Sequence, residues 1–438
     1  MIASFVAAVC LAPSAEVPQR ILERGLTDLG AHRLLTELTT KIGGRLSGSP
    51  EAERAVKWCE AKMRQMGLQN VRLVHCMVPH WVRGKPEVAT LDGKPLSVNA
   101  LGGSVATPKG GIEAEVVEVH SLKEAEQLGA KGKGKIVFFN RGFDPKLPHT
   151  FAAYGGAVDQ RVGGATAAAK SGAVAVLVRS MTLATDDAPH TGAMGYGEGK
   201  KIPAAALGIQ SANRLSAALK KNPHAKVRLK MSCQTLPDVP SANVCGEIVG
   251  SELPDEVIVM GGHLDSWDTG KGAHDDGAGC MQALEALRLM RVLGLKPKRT
   301  IRAVMFMNEE NGLRGAPAYA EFAKKSGQTP FAAIESDSGG FMPRSFGVSK
   351  AKIDAVRPWE ETLRVFGIER FNEGGGDADI GPLEPLGATL FALEPENARY
   401  FDYHHSRNDT IDKVNPREVE FGAMAMATLA WLVSENGL

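Results

Sequence analysis

Hydrophobic positions in the second half of the chain alternate between short apolar runs and amphipathic stretches. Four runs have the length and β-branched content of buried strands: EVIVMGGH (256–263), TIRAVMFMNEE (300–310), PFAAIESDSGG (330–340) and ATLFALEP (388–395). Three stretches between them repeat apolar residues at helical spacing: CMQALEALRLMRVLG (280–294), APAYAEFAKKSG (316–327) and PWEETLRVFG (358–367). Continuous apolar strands alternating with helices predict an α/β fold, a three-layer αβα sandwich around a mixed, mostly parallel sheet.

Two further helices carry start signals outside this region. In GSPEAERAVKWCEAKMRQMGL (48–68), Ser49 is a favourable N-cap and Pro50 suits the first helical position. The last helix is expected to begin after Asn415, with Pro416 as its first residue.

Residues 96–236 break the rhythm of strands and helices. This segment is rich in Gly, Ala and Lys, and short β runs such as GKIVFFNRG (134–142) and AVAVLVRS (173–180) flank the helix-like GGATAAAKSGA. We therefore expect an inserted, β-rich domain over 96–236, between a first part of the main domain at 17–95 and a second part at 237–438.

Composition narrows the class of protein. Of the 438 residues, 23% are charged, the net charge is +1, and no basic cluster alternates with aromatic residues, so nucleic-acid binding is not expected. No apolar run reaches the roughly 18 residues of a transmembrane helix. The start, MIASFVAAVCLAPSAE, resembles a short signal segment (1–16), so we expect export to the periplasm or the outside. The six cysteines form no CxxC pair, which argues against a thiolate zinc site.

Acidic residues and histidines cluster directly after the predicted strands. Because ligand sites in open α/β sheets lie at the carboxyl ends of the strands, these groups are expected to meet at one rim. In chain order they are His263 and Asp265, Asp275 and Asp276, Glu309 and Glu310, Asp337, and, before the last helix, His404 and His405.

These residue types are suited to a pair of metal ions. Two histidines and three carboxylates can hold two divalent cations if one carboxylate bridges them, and imidazole with carboxylate oxygen suits zinc. A spare glutamate in the Glu309–Glu310 pair could act as the base for a shared water. Asp265, two positions after His263, could orient its imidazole. Each feature alone is typical of a solvated loop, but their order favours a metal site.

The motifs HLDS, GAHDDGAG, NEENGLRGA, ESDSGG and HHSRNDT, with Asp275 twelve positions after His263, resemble the dizinc aminopeptidase-type metallopeptidases. The plasma glutamate carboxypeptidase branch of that family is the most similar. The resemblance extends to LGLKPKRTIR and PHTGAMGYGEGKKIPAAAL and covers most of the chain from about residue 30. It implies that the insert is a protease-associated domain and that the protein forms a homodimer.

The resemblance also implies a role for each site residue. One metal would be held by His263 and Asp337, and Asp275 would bridge it to the other. The second metal would be held by Glu310 and His405; His405 is preferred to His404 because the family ligand precedes Ser or Thr, as His405 precedes Ser406. Glu309 would be the general base and acid. The implied cofactors are two Zn²⁺ per chain, with cobalt or manganese as alternatives.

The expected activity is hydrolysis of dipeptides or short peptides with a free amino end. Asp377 and Asp379, in the Gly-rich EGGGDADIG, could receive the substrate ammonium group or belong to a polar turn. Two other functions stay open: a related dizinc deacylase or dipeptidase, whose bridging aspartate usually follows at a longer distance, and a non-catalytic, receptor-like relative, which would lack metal ligands. Aminopeptidase, dipeptidase and carboxypeptidase activities are not distinguished.

Overall fold

A computed structural model describes residues 13–438 with the exception of Asp377. The predicted signal segment (1–16) therefore lies outside the described residues, apart from its last four positions, which begin the first helix. Within the described part of the chain, no helix combines the length and the apolar character needed to cross a bilayer.

The described chain folds into sixteen strands and fourteen α-helices. The strands are β1 (Gln69–Val82), β2 (Val88–Leu91), β3 (Lys94–Leu96), β4 (Val98–Ala100), β5 (Ile112–Val119), β6 (Ile136–Phe139), β7 (Ala175–Arg179), β8 (Ala204–Leu207), β9 (Lys226–Lys230), β10 (Gln234–Ile248), β11 (Leu253–His263), β12 (Arg299–Phe306), β13 (Thr329–Glu335), β14 (Pro343–Val348), β15 (Arg370–Glu373) and β16 (Thr389–Pro395). The helices are α1 (Pro13–Asp28), α2 (Gly30–Lys41), α3 (Pro50–Gln65), α4 (Leu122–Glu126), α5 (Thr150–Gly155), α6 (Asp159–Val162), α7 (Gly164–Lys170), α8 (Ile209–Lys221), α9 (Ala278–Val292), α10 (Gly315–Lys325), α11 (Ile353–Val356), α12 (Glu360–Leu363), α13 (Tyr400–Tyr403) and α14 (Pro416–Asn436).

The main sheet has the strand order β1-β10-β12-β11-β13-β16-β14-β15. Its centre, β12-β11-β13-β16, is parallel, whereas β1, β10 and β12 pair antiparallel, as do β14 and β16. Alternate residues of β11 face opposite sides, as strand geometry requires. Ile258 and Met260 belong to the core formed with α9 and α14, while Val257 and Val259 pack with Tyr319 of α10. Helices therefore cover both faces of a mixed sheet, as the hydrophobic pattern predicts.

A second sheet takes its strands from residues 88–230, in the order β3-β2-β9-β5-β6-β7-β8-β4. It begins at Val88, before the predicted boundary at residue 96. Strands β5, β6, β7 and β8 pair in parallel. Helix α7 lies between β6 and β7 in the chain, and α8 follows β8. The expectation of a mainly β segment is thus incomplete, because this region repeats the parallel α/β arrangement on a smaller scale.

Local signals place several helix ends correctly. The Ala52 N–H donates to Ser49 Oγ (3.1 Å) at the start of α3, and the Arg417 N–H donates to Asn415 Oδ1 (2.9 Å) at the start of α14. The helix predicted over 358–367 differs: only Glu360–Leu363 is α-helical, between 3₁₀ turns at Arg357–Trp359 and Arg364–Phe366.

Candidate metal centre

The carboxyl ends of three parallel strands bring the predicted ligands to one rim. His263 is the last residue of β11 and pairs with Phe306 at the end of β12. Glu309 and Glu310 follow β12, and Asp337 follows the end of β13 by two residues. The sheet thereby places side chains that are far apart in sequence at the same edge.

Asp275 reaches this rim from the loop between β11 and α9. The next residue, Asp276, accepts hydrogen bonds from the backbone N–H groups of His263 (3.0 Å) and Gly279 (2.9 Å). A Cβ on Gly262 or on Gly279 would collide with the Asp276 carboxylate, so glycine is required for this close approach. Asp276 therefore fixes the loop, and its neighbour Asp275 projects into the site. The peptide bond between the two aspartates is cis.

One half of the cluster forms around His263. Its Nε2 lies 3.3 Å from Asp275 Oδ1 and 3.3 Å from Asp337 Oδ1, and the ring is 1% exposed. Burial alone lowers the pKa of His263, but the Asp337 and Asp275 carboxylates raise it well above its usual value. The carboxylates around His263 produce a strongly negative electrostatic potential at its ring.

The other half forms around His405. Its Nε2 lies 3.0 Å from Glu310 Oε2 and 3.3 Å from Asp275 Oδ2. Burial lowers the pKa of His405 to about 3, so the ring is neutral near pH 7, the form that binds metals. Asp275 thus turns one oxygen to each histidine. Burial acts to raise the pKa of Asp275, yet His263 and His405 hold it well below its usual range.

His404 takes a different position from its neighbour. Its Nε2 is 4.0 Å from Asp275 Oδ2, and its ring stacks on the His405 ring with centroids 3.5 Å apart. His404 also contacts the rings of Tyr154 and Phe401. The geometry therefore puts His405 at the centre of the cluster and His404 in its aromatic wall.

The donor atoms fit a cation. Three groups of three possible ligand atoms, each within 4.8 Å of one another, occur among the described residues. One of these groups includes His404 and another includes Asp276. Asp276 is less suitable, because both its oxygens already accept backbone N–H groups. Three buried carboxylate oxygens of the proposed ligands have no hydrogen-bond donor within the described part of the chain: Asp275 Oδ2, Glu310 Oε1 and Asp337 Oδ1. Buried anionic oxygens without donors are costly unless a cation binds them.

Asp265 anchors the loop that carries the glutamates. Its carboxylate accepts the N–H groups of Asn308 (2.6 Å), Glu309 (3.1 Å) and Glu310 (3.4 Å). His263 Nδ1 lies 3.0 Å from the backbone oxygen of Asp265 but 4.0 Å from Oδ1. Asp265 thus contacts the imidazole through its backbone carbonyl, while its carboxylate holds the loop of the two glutamates.

Glu309 and Glu310 differ in their surroundings. The Glu310 side chain is 2% exposed and contacts His405, whereas the Glu309 side chain is 24% exposed and reaches no closer than 4.0 Å to His263 Nε2. Burial, together with the Asp337 and Asp265 carboxylates, raises the pKa of Glu309 to about 8 although His263 acts in the opposite direction. Cations bound beside it would lower this pKa and favour the carboxylate that a base requires.

The region of the second sheet supplies residues that the sequence analysis did not identify. Tyr154 and Arg161 line a cavity of about 320 Å³ together with Asp275, Glu309, Glu310, Asp337 and His405. The Thr191 N–H donates to the His405 backbone oxygen (3.0 Å), and His405 Nδ1 lies 3.3 Å from the Thr191 oxygen. Thr191 belongs to the sequence PHTG (189–192), which is part of the family resemblance, whereas nothing in the sequence around Arg161 marks that residue.

The predicted substrate-binding residue Asp377 lies outside the described residues. Its neighbour Asp379 is 1% exposed, and neither carboxylate oxygen has a hydrogen-bond partner within the described chain. Burial raises the pKa of Asp379 well above its usual value.

The two adjacent histidines permit a matched test of this geometry. His405→Ala should lose at least one metal per chain, because His405 contacts both Glu310 and Asp275. His404→Ala should keep the metal content of the wild-type protein and alter activity much less. Metal content measured by mass spectrometry distinguishes them; metal loss in His404→Ala alone would reverse the assignment.

Comparisons with known proteins find peptidases of similar sequence and fold. A sequence model of peptidase family M28 matches residues 243–430. Mouse carboxypeptidase Q is 36% identical over 404 residues, which cover 91% of this chain and 84% of that protein. The crystal structure of a peptidase M28 precursor from Shewanella amazonensis is 32% identical, covers 97% of both chains and superposes with a TM-score of 0.92. A zinc aminopeptidase from Bacillus subtilis is 18% identical over 91% of this chain and 93% of that chain, with a TM-score of 0.64, and so shares the fold.

Proposed function

Because this chain belongs to peptidase family M28, we propose that it is a dizinc peptidase that hydrolyses dipeptides and other short peptides. Membership of the family confirms the resemblance that the sequence motifs indicate, and it makes the protein a metallopeptidase. The proposal further specifies the number of metal ions, the residues that hold them and the residue that acts as the general base.

The observation that carries the proposal is the position of Asp275. Its Oδ1 lies beside His263 and its Oδ2 beside His405, while Asp337 and Glu310 complete the two groups. One carboxylate shared between two half-sites is the arrangement expected for a pair of cations. All five proposed ligand positions hold ligand side chains, which argues against a non-catalytic relative.

His263, Asp275, Asp337, Glu310 and His405 would hold the two zinc ions, which when bound would lower the pKa of a water molecule and polarise a peptide carbonyl. Glu309 accepts a proton from the attacking water and passes it to the leaving amine. Asp265 is a positioning residue, because its carboxylate holds the backbone of Glu309 and Glu310. The backbone oxygen of Thr191, from the second-sheet region, accepts the Nδ1 hydrogen of His405, which leaves Nε2 free as a ligand.

We also propose that the second-sheet region is an inserted, protease-associated domain that limits substrate length. Its residues Tyr154 and Arg161 form one wall of the candidate cavity. A wall this close to the metal ligands leaves room for a short peptide. Long or folded polypeptides should therefore be poor substrates.

A screen of dipeptides with free and blocked termini tests the proposal. The zinc-loaded protein should hydrolyse unblocked dipeptides, should act poorly on N-acetylated ones, and should lose activity on dialysis against a chelator. A zinc-loaded, folded protein that cleaves none of the peptides would refute the proposed function.

A further inference from the structure

Arg161 is a buried cation without an anionic partner. The residue is 7% exposed, and no carboxylate among the described residues lies within ion-pair distance of its guanidinium. Other buried arginines in the chain are well satisfied. Arg302 pairs with Glu247 at 2.6 Å, and Arg45 donates to several backbone carbonyls, among them those of Lys271 and Gly272. Arg161 is the exception, and it lies in the wall of the candidate active site.

The contacts of Arg161 leave much of its donor capacity unused. A guanidinium carries five N–H donors. Nη2 donates to Tyr154 Oη at 2.6 Å, whereas Nη1 lies 3.5 Å from the Thr191 oxygen and Nε has no partner among the described residues. Leaving a buried donor unsatisfied carries a free-energy cost. A ligand that binds this cation would offset that cost.

His405 does not satisfy Arg161 either. Nη1 lies 3.4 Å from His405 Nδ1, but a metal ligand acting through Nε2 carries its proton on Nδ1. Two donors cannot hydrogen-bond to each other, and the Nδ1 proton is directed to the Thr191 oxygen at 3.3 Å. The guanidinium is therefore free to bind something else.

The balance of charges in the cavity favours the binding of one anionic group. Four carboxylates line it, those of Asp275, Glu309, Glu310 and Asp337. Two divalent cations would balance their four negative charges, and the charge of Arg161 would remain. A bound anionic group is then favoured, and a planar carboxylate matches the guanidinium fork.

From these observations we propose that Arg161 binds the free C-terminal carboxylate of the substrate and so selects dipeptides over longer or amidated peptides. The inference rests on the proposed peptidase function. In a dipeptide the carboxylate follows the scissile bond by one residue, about 3.3–3.6 Å of chain. A carbonyl held at the Asp275 end of the 320 Å³ cavity thus brings the carboxylate to the wall of the same cavity.

Tyr154 adds a second donor to this proposed subsite. Its oxygen accepts the hydrogen bond from Arg161, so its own hydrogen can be donated to a bound carboxylate. The ring is fixed by stacking on Phe401, with centroids 4.7 Å apart. Arg161 and Tyr154 both belong to the second-sheet region, so this region would determine which end of a peptide is recognised.

The test compares a dipeptide with its C-terminal amide, both with a free amino end. The wild-type enzyme should prefer the free acid. Arg161→Met should lower kcat/KM for the free acid by roughly 10- to 100-fold, as expected for loss of a charged hydrogen bond, and change the amide by less than about threefold. Tyr154→Phe should shift the preference in the same direction by a smaller factor. Arg179→Met is the control, since Arg179 lines a separate cavity in the same region.

Equal losses on both substrates, or a fall in metal content, would show that Arg161 only positions His405 and would overturn the inference. A wild-type enzyme that cleaves acid and amide equally well would also overturn it, even if Arg161→Met fails to fold. Both results leave the proposed peptidase function intact, whereas a zinc-loaded wild type that cleaves neither substrate would refute that function itself.

Discussion

Glu309→Gln should lower turnover of a dipeptide by about 1,000- to 10,000-fold, the upper part of the range for a general acid–base group, while the protein keeps its full metal content. The upper part is expected because the same carboxylate would act first as base and then as acid. Glutamine keeps the shape of the side chain but cannot accept the proton. Substrate affinity should change much less than turnover.

The structure separates this variant from its neighbour. Glu309 is partly exposed and lies 4.0 Å from His263, whereas Glu310 is buried 3.0 Å from His405. Glu310→Gln is therefore the matched control, and it should lose metal. Both variants are measured for metal content by mass spectrometry and for turnover. If Glu309→Gln keeps its full metal content and near-normal turnover, Glu309 has no role in the mechanism. If Glu309→Gln loses metal, the two glutamates have exchanged roles.

Asp275→Asn should lose metal and activity together. A neutral amide bridges two cations poorly, and loss of a bridging ligand should weaken metal binding by more than the roughly 10- to 100-fold typical of outer-shell changes. The effect should extend to both half-sites, because Asp275 contacts both His263 and His405. Hydrolysis should fall to the level of the chelated protein.

The adjacent aspartate provides the control for this variant. Asp276 accepts backbone N–H groups and fixes the loop, so Asp276→Asn should lower stability more than metal affinity. Metal content and thermal unfolding are measured on both proteins. An Asp275→Asn protein that retains two metals per chain would contradict the assignment of Asp275 as the bridge.

Much of the main domain was predictable because its signals are local. Apolar runs such as 256–263 and 300–310 can only be buried in a central parallel sheet, and the rule for strand ends then brings His263, Glu310 and Asp337 together. Short-range capping chemistry likewise placed the start of α3 at Ser49. The strand-end rule brings the candidate residues to one rim, whereas the role of each residue follows only from the resemblance to the dizinc aminopeptidase-type metallopeptidases.

The rest depends on contacts that no local pattern encodes. Strand β10 contains Pro237 and Pro240 and lacks a clear alternation, and its long antiparallel pairing with β1 determines where it lies. Arg161 and Tyr154 reach the site only because the second-sheet region folds against the rim. The carbonyl of Asp265, which orients His263, has no side-chain signature at all. These features arise from tertiary packing between distant segments.

In the proposed mechanism, two zinc ions held by a shared Asp275 carboxylate would form the catalytic centre. The most direct test is titration of the chelated protein with zinc, with bound metal measured by mass spectrometry and dipeptide hydrolysis measured on the same samples. We predict that binding saturates at two zinc ions per chain and that full activity is reached only at that ratio. Full hydrolysis with no metal or one metal per chain would show that the protein does not need a pair of zinc ions.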